Sequence, residues 1–227
     1  MSQTSEVSLF QLSKGEFSRQ KVRKILGKSV PLDVSVREIK ECGLKSLLQS
    51  NVPLCYFLYT MLEDYSSENL FFYLDVEKFQ TRHFENSEDM REKAQIIYDK
   101  FIAENSEFEV NIDHRVSAPI QGAIDHFDQD CFREAKDDLE RLMEPVFLKF
   151  KTGPYFKRME EELGLYNIVY TRKQRNMAVK LLLTNMDKTL PTGDNTPAGI
   201  LKNQRNDEVR QMMHRFCKKK LRIDFED

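Results

Sequence analysis

The chain has 227 residues, 40% of them hydrophobic, and a net charge of −2, which is the composition of a globular protein that can bury a core without disulfide bonds. No apolar run approaches the roughly 20 residues that a membrane-spanning helix needs, and the first ten residues lack the features of an export signal. With 8 glycines and 7 prolines, few turns are expected, which argues against an all-β fold. These properties predict a cytoplasmic, all-α protein.

The charge is unevenly distributed along the chain. Residues 51–164 carry 13 basic and 25 acidic side chains, a net charge of −12, whereas residues 1–50 carry +4 and residues 165–227 carry +6. The acidic middle argues against nucleic acid as its partner, because phosphates repel carboxylates. It suits a basic protein surface, or the basic flanks folding back.

The N-terminal region is predicted to form two helices that are split at residues 28–31, the second running from Val34 to about Gln49. Pro53 is expected to open an apolar helix that runs to Leu62, because proline suits the first turn of a helix.

A break at residues 64–67 precedes the central helices. Ser66 or Ser67 is expected to cap the next helix, and Glu68 suits the positive helix start. In the helices that follow, apolar residues recur at helical spacing, which indicates a buried face. Six of them are predicted to form the core: Phe71, Phe72, Phe79, Ile97, Phe101 and Phe132.

The second half is also predicted to be helical. Residues 107–117 look irregular, and residues 128–144 form a strong helical pattern that Pro145 should interrupt, since proline breaks helices. The last two helices are expected over residues 167–188 and 207–222.

No catalytic or metal-binding pattern is visible. The sequence lacks a glycine-rich phosphate loop, G-x-S-x-G and H-E-x-x-H. The four cysteines have no C-x-x-C spacing, which is typical of neither zinc sites nor disulfide frameworks. The nearest metal-like set is Asp113, His114, His126 and Cys131, in which no pair has helical i, i+4 spacing. We expect no metal, no cofactor and no enzyme activity.

Three segments in the middle of the chain carry a recognisable order of motifs. They are residues 64–73 with Ser-Ser-Glu-Asn, residues 97–102 with Ile-Tyr-Asp-Lys-Phe-Ile followed by residues 109–113 with Glu-Val-Asn-Ile-Asp, and residues 135–144, which end in Leu-Met-Glu. In this order, the chain resembles the regulator of G-protein signalling (RGS) domain family. The resemblance covers about residues 44–163.

The resemblance implies an RGS-like bundle of short helices over residues 44–164, a helical N-terminal extension over residues 1–43 and a basic helical C-terminal extension over residues 165–227. It implies binding to the α subunit of heterotrimeric G proteins in its GTP or transition-state form. The domain would stabilise the switch regions and speed GTP hydrolysis, which attenuates signalling. The α subunit supplies its own catalytic Arg and Gln, so the chain would activate another protein's GTPase without being an enzyme.

The resemblance also implies a set of partner-binding residues. They are Asn111, Glu68, Asn69, Asp64, Glu109, Leu142 and Lys149. The amide of Asn111 both donates and accepts hydrogen bonds, so it can hold a Gln side chain and a switch backbone together. The alternative for Asn111 is a turn residue, and for Glu68 and Asn69 a helix cap.

Three of these residues have further alternatives. Asp64 and Glu109 can be plain solvated charges, and Leu142 lies on the apolar stripe of its helix and can be a core residue.

One stretch departs from the family pattern. After Leu-Met-Glu the family has an Asp and a Ser, then an aromatic residue and an Arg, whereas here Pro145 and Val146 follow and Lys149 stands in for the Arg. A Tyr, Tyr73, also fills the position of the family's Trp. Loss of a charge-assisted hydrogen bond would weaken binding by roughly 1.5–3 kcal/mol. The alternative function is a docking or scaffold module without GTPase-activating ability.

The C-terminal basic helix allows two interpretations. Lys218, Lys219 and Lys220 with interleaved apolar residues can bind an anionic membrane surface, and Cys217 can be palmitoylated, which would place the protein peripherally at the plasma membrane. The alternative is that the apolar side of this helix packs on the acidic middle domain, which the opposite charges favour.

Overall fold

The structure is a computed structural model that describes residues 32–190, 196–221 and 223. In these residues every regular element is a helix, which confirms the predicted all-α class. In chain order the helices are α1 (Val36–Cys42), α2 (Leu44–Leu48), α3 (Val52–Glu63), α4 (Ser67–Thr81), α5 (Ser87–Phe101), α6 (His114–Ser117), α7 (Ile120–Asp125), α8 (Arg133–Thr152), α9 (Pro154–Leu163), α10 (Arg172–Thr189) and α11 (Pro197–Leu221). The helix predicted before residue 28 lies outside the described residues.

The described residues fall into two compact units. Of the described residues, the terminal unit takes 32–57, 150–184, 215–221 and 223, and the central unit takes 58–149, 185–190 and 196–214. The boundaries fall inside α3, α8, α10 and α11, so these four helices contribute residues to both units.

A single buried carboxylate organises the start of α3 in the terminal unit. Asp33 is 6% exposed, and its carboxylate accepts hydrogen bonds of 2.8 Å from the backbone N–H groups of Val34, Asn51 and Val52. The first N–H groups of a helix have no acceptor within the helix, so this carboxylate satisfies donors that would otherwise be buried unpaired. The Asp33 N–H in turn donates to the Ile168 carbonyl at 2.8 Å.

The end of α9 is closed by a glycine and two amide side chains. Gly164 has a φ of 77°, and an added Cβ would lie 2.8 Å from the Asn167 amide nitrogen. That amide donates to the Leu163 carbonyl at 2.6 Å, and the Gln174 amide donates to the Glu162 carbonyl at 3.1 Å. The last carbonyls of α9 are therefore satisfied by side chains.

An aromatic cluster fills the interior of the central unit. The Phe72 ring meets the rings of Phe101 and Phe132 edge to face, at centroid distances of 5.6 and 6.0 Å, and Phe79 meets Phe132 at 5.8 Å. All six residues that the sequence predicts as core are buried. Tyr73, in the position of the family's Trp, is 7% exposed.

Two predicted helix ends are wrong. The helix predicted from Val34 to Gln49 is broken at Gly43, whose φ of 76° ends α1 and lets α2 start in a new direction. The interruption predicted at Pro145 does not occur, and α8 runs unbroken through this residue to Thr152. Because Pro145 is exposed, water can solvate the carbonyl whose helical hydrogen bond it removes.

The last helix is longer than predicted, and its apolar side is buried. It begins at Pro197 rather than near residue 207. Met212, Met213, Phe216 and Leu221 are each 6% exposed or less, so this side of the helix is covered by other parts of the chain, and packing on the acidic middle domain stays a prediction. Cys217 is buried as well, and burial raises the pKa of its thiol to about 12, which disfavours acylation. Membrane binding through the three lysines stays a prediction.

Replacing Asp33 with Ala should lower the free energy of unfolding by at least about 2 kcal/mol, because two backbone N–H groups at the start of α3 and the N–H of Val34 lose their acceptor. Asp33→Asn keeps one acceptor oxygen and should fall between wild type and Asp33→Ala. Urea unfolding followed by far-UV circular dichroism measures both. Asp99→Ala, which truncates an exposed carboxylate, serves as the control, and an equal loss in the control would contradict the capping role.

Replacing Phe132 with Leu should cost about 1–3 kcal/mol of stability, because two aromatic edge contacts and part of the buried area are lost. The matched control is Phe127→Leu, since Phe127 is 44% exposed and the same change there should cost less than about 0.5 kcal/mol. Thermal and urea unfolding of the two variants give the comparison. Equal destabilisation would show that the aromatic cluster contributes no special stability.

Candidate partner-binding site

All seven predicted partner-binding residues belong to the central unit. They come from the break between α3 and α4 and the first turn of α4 (Asp64, Glu68 and Asn69), from the segment between α5 and α6 (Glu109 and Asn111) and from α8 (Leu142 and Lys149). The side chains from α8 and from the segment between α5 and α6 are exposed, whereas Asp64, Glu68 and Asn69 are half-buried.

An ion pair brings two of the predicted residues together. The Lys149 ammonium donates to the Asp64 carboxylate, which links α8 to the end of α3. The Asp64 side chain is 23% exposed and that of Lys149 is 63% exposed. The hydrogen bond that Lys149 donates to Asp64 raises the pKa of Lys149. Such exposed pairs add little to stability because solvent screens them, so the main consequence of this pair is the position of its two charges.

Leu142 lies on the surface rather than in the core. It is 45% exposed, whereas the stripe of α8 is completed by Leu139 and Met143, which are both fully buried. Leu142 and Lys149 are seven residues apart, so they lie on the same face of α8. This arrangement places an exposed apolar side chain two helical turns from a charged one.

Sequence reasoning missed one residue of this surface, Tyr65. It directly follows Asp64, its side chain is 77% exposed, and its φ is 50°, in the left-handed region. An exposed aromatic side chain is a common anchor of protein interfaces. The available signal was an aromatic residue within an otherwise polar break.

Glu68 lies in the first turn of α4, and most of its side chain is shielded from solvent. Its side chain is 16% exposed, and its carboxylate lies 3.8 Å from the Arg205 guanidinium of α11. Burial raises the pKa of Glu68, and the Arg205 charge opposes that rise. The Ser66 hydroxyl, a predicted cap of α4, instead donates to the Met61 carbonyl of α3 at 3.5 Å.

The segment that carries Asn111 is held at several points. The Val110 N–H donates to the Phe101 carbonyl at 2.9 Å, which ties the segment to the end of α5. The Asn105 N–H, at a residue with a φ of 61°, donates to the Glu109 carboxylate at 3.0 Å. Glu109 therefore braces a turn, while the Asn111 side chain is exposed to solvent.

The far end of the same segment is fixed by a helix cap. The Asp113 carboxylate accepts from the Arg115 N–H at 2.8 Å at the start of α6. Hydrogen bonds from the Arg115 side chain and backbone lower the pKa of Asp113 to about 2. Asn111 is thus placed between a buried Val110 and a capped helix, which limits the conformations of its backbone.

Metal binding and membrane spanning find no support in the described part of the chain. No group of three or more His, Cys, Asp or Glu side chains is arranged to hold a metal ion among these residues. Burial also raises the pKa of Cys131 to about 12, which disfavours the thiolate that a metal needs. None of the described helices has the length and apolarity required to cross a bilayer.

Solved structures similar to the chain include two RGS-type domains. The rgRGS domain of PDZRhoGEF, solved in a complex with Galpha-13 bound to GTP-gamma-S, gives a TM-score of 0.58 at 20% identity and covers 80% of this chain and 92% of that one. The RGS-like domain from PDZ-RhoGEF gives a TM-score of 0.51 at 18% identity over 77% and 93% of the two chains. At these identities the likeness shows a shared fold.

Sequence comparison identifies the family. Regulator of G-protein signaling rgs-1 of Caenorhabditis elegans is 30% identical over 103 residues, which are 45% of this chain and 50% of the relative, so the chain spans about half the length of that protein. Regulator of G-protein signaling rgs-2 of the same organism is 30% identical over 124 residues, 54% of this chain and 72% of the relative. The family model described as the Regulator of G protein signaling domain matches residues 43–159. The chain belongs to the regulator of G protein signaling domain family.

Proposed function

We propose that the chain binds the activated α subunit of a heterotrimeric G protein and accelerates its GTP hydrolysis. The observation that carries the proposal is that one ion pair links two of the segments that hold the family's motifs, and that a residue of α11 contacts two of them. Lys149 pairs with Asp64, and Glu68 pairs with Arg205, which also lies 5.8 Å from the Phe108 ring in the segment of Asn111. Residues far apart in sequence are thereby collected in one unit.

The proposed mechanism is preorganisation of the partner. Asn111 offers both a donor and an acceptor on a braced segment, so it can hold a catalytic side chain and a switch backbone of the α subunit in one arrangement. Glu68 and Asn69 at the start of α4 would add polar contacts, and Tyr65 and Leu142 would supply exposed apolar contact area. The gain in rate comes from groups of the α subunit that are held in the geometry of the transition state.

In the proposed complex, Asp64 replaces the carboxylate that the family carries after Leu-Met-Glu. Pro145 and Val146 occupy that stretch of α8 and provide no charge. Lys149 holds the Asp64 carboxylate against the same helix, and a carboxylate engaged by one ammonium retains further acceptor sites. In this proposal, the carboxylate tied to α8 by Lys149 takes over the role of the missing one.

A second function, docking without GTPase activation, is favoured by Pro145 itself. An exposed proline in the helix has no N–H and no polar side chain for a switch region. A docking module would bind the GDP, GTP-gamma-S and aluminium fluoride forms of the α subunit equally. An activator should bind the aluminium fluoride form most tightly, since that form imitates the transition state.

Replacing Asn111 with Ala should reduce the acceleration of single-turnover GTP hydrolysis by about tenfold or more, because the amide bridge to the partner is lost. The measurement uses a panel of purified α subunits with and without the chain, and circular dichroism checks that the helices remain. Gln211→Ala, which truncates an exposed amide of the same unit, is the control and should keep wild-type acceleration. Unchanged acceleration in Asn111→Ala would remove this residue from the mechanism.

Exchanging the charges of Asp64 and Lys149 tests whether they contact the partner. The double variant Asp64→Lys with Lys149→Asp restores an ion pair between α3 and α8, so stability should stay within about 0.5 kcal/mol of wild type. Binding to the aluminium fluoride form should nevertheless fall by about tenfold or more, because each charge now faces the partner with the opposite sign. Wild-type affinity in the double variant would show that the pair acts only within the chain.

A further inference from the structure

Arg205 connects two segments of the candidate site although it lies far from both in sequence. It stands on α11, outside the residues 43–159 that match the family model. Its guanidinium lies 3.8 Å from the Glu68 carboxylate and 5.8 Å from the centre of the Phe108 ring. Phe108 is 1% exposed, so its ring is a fixed surface on which a guanidinium can rest.

A small cluster of charges surrounds this contact. The Lys100 ammonium lies 5.0 Å from the centre of the same Phe108 ring, so two cations share one aromatic ring. Glu107 and Glu208 are neighbouring carboxyl groups that affect each other's charge. Burial and the Glu208 charge raise the pKa of Glu107, whereas the charges of Arg205 and Lys100 lower it. The charged neighbours of Glu107 are therefore Glu208, Arg205 and Lys100, and Arg205 also acts on Glu68.

The exposure of the partner-binding residues shows whether α11 supports the candidate site or covers it. With α11 in place, the side chains of Glu109, Asn111, Leu142 and Lys149 remain exposed. Glu68 is the predicted contact residue that Arg205 touches, and it keeps a side-chain exposure of 16%. A helix that blocked the surface would bury these side chains.

We propose that Arg205 is a positioning residue of the partner-binding site: resting on Phe108, it holds Glu68 in its ionised form and in a fixed orientation for the α subunit. The inference rests on the proposed function and deepens it, because it makes a residue of α11 part of the determinants of partner affinity. A carboxylate that lacks solvent needs a nearby cation to remain charged, and Arg205 provides it within the central unit.

Affinity for the aluminium fluoride form of the α subunit, measured on the full chain, gives the first test. Arg205→Ala should weaken binding by about three- to tenfold, and Arg205→Lys should recover most of it. In a Glu68→Gln background, Arg205→Ala should add less than about twofold, because the residue through which Arg205 acts has lost its charge. If Arg205→Ala weakened binding as much in the Glu68→Gln background as in wild type, the inference would be overturned. Tighter binding by Arg205→Ala would also overturn it, because it would show that α11 covers the surface.

The pH dependence gives a readout that a purely structural role would not move. The Arg205 cation lowers the pKa of Glu68, so its removal should raise that pKa, and binding should be lost at a higher pH as the solution is acidified. Arg133→Ala, which removes a cation paired with Asp130 in the same unit, should leave the binding midpoint where it is in wild type. A lower melting temperature with an unchanged pH midpoint would assign Arg205 a structural role only.

Titration of the Glu68 carboxyl by carbon-13 NMR on the free chain separates failure of the proposed function from failure of the inference about Arg205. If wild type binds no α subunit of the panel, the proposed function fails, yet the carboxyl pKa in Arg205→Ala still tests the link between the two residues. An upward shift in that variant, absent in Arg133→Ala, supports the link. An unchanged Glu68 pKa overturns it whether or not an α subunit binds.

Discussion

The edge-to-face contacts of Phe72 with Phe101 and Phe132 are the constraint on which the central unit depends. These rings belong to α4, to the end of α5 and to the residue before α8, and each of these places leads to a part of the candidate site. The start of α4 carries Glu68, and the segment after Phe101 carries Asn111. Because ring packing tolerates little displacement, an apolar contact in the interior fixes the spacing of polar groups at the surface.

The polar residues of the site contribute little to folding, and one of them opposes it. The pKa of Glu68 is raised in the folded chain, so its contribution to stability is present at low pH and is lost as the pH rises through that raised pKa. At neutral pH the ionised Glu68 therefore costs folding free energy. Residues that are kept at such a cost are candidates for binding, whereas Asp33, which satisfies three backbone donors, stabilises the structure.

The sequence predicts those features that arise from neighbours along the chain. Helical periodicity identified the core positions of Phe72 and Phe101, and the order of short motifs identified seven candidate site residues, including Asn111. The continuation of α8 through Pro145 was missed because it depends on which face of the helix meets water. The contact of Arg205 with Glu68 was missed because no local pattern encodes a pairing that only the tertiary fold creates.

The buried side of α11 limits how far the chain can be truncated. Val209, Met212 and Met213 belong to the central unit and are each 6% exposed or less. The folding unit is thus longer than the segment that carries the family's signature, residues 43–159. A fragment trimmed to that signature would lose these apolar side chains and uncover the surface they shield, so poor solubility of such a fragment would reflect its boundaries rather than an unstable family fold.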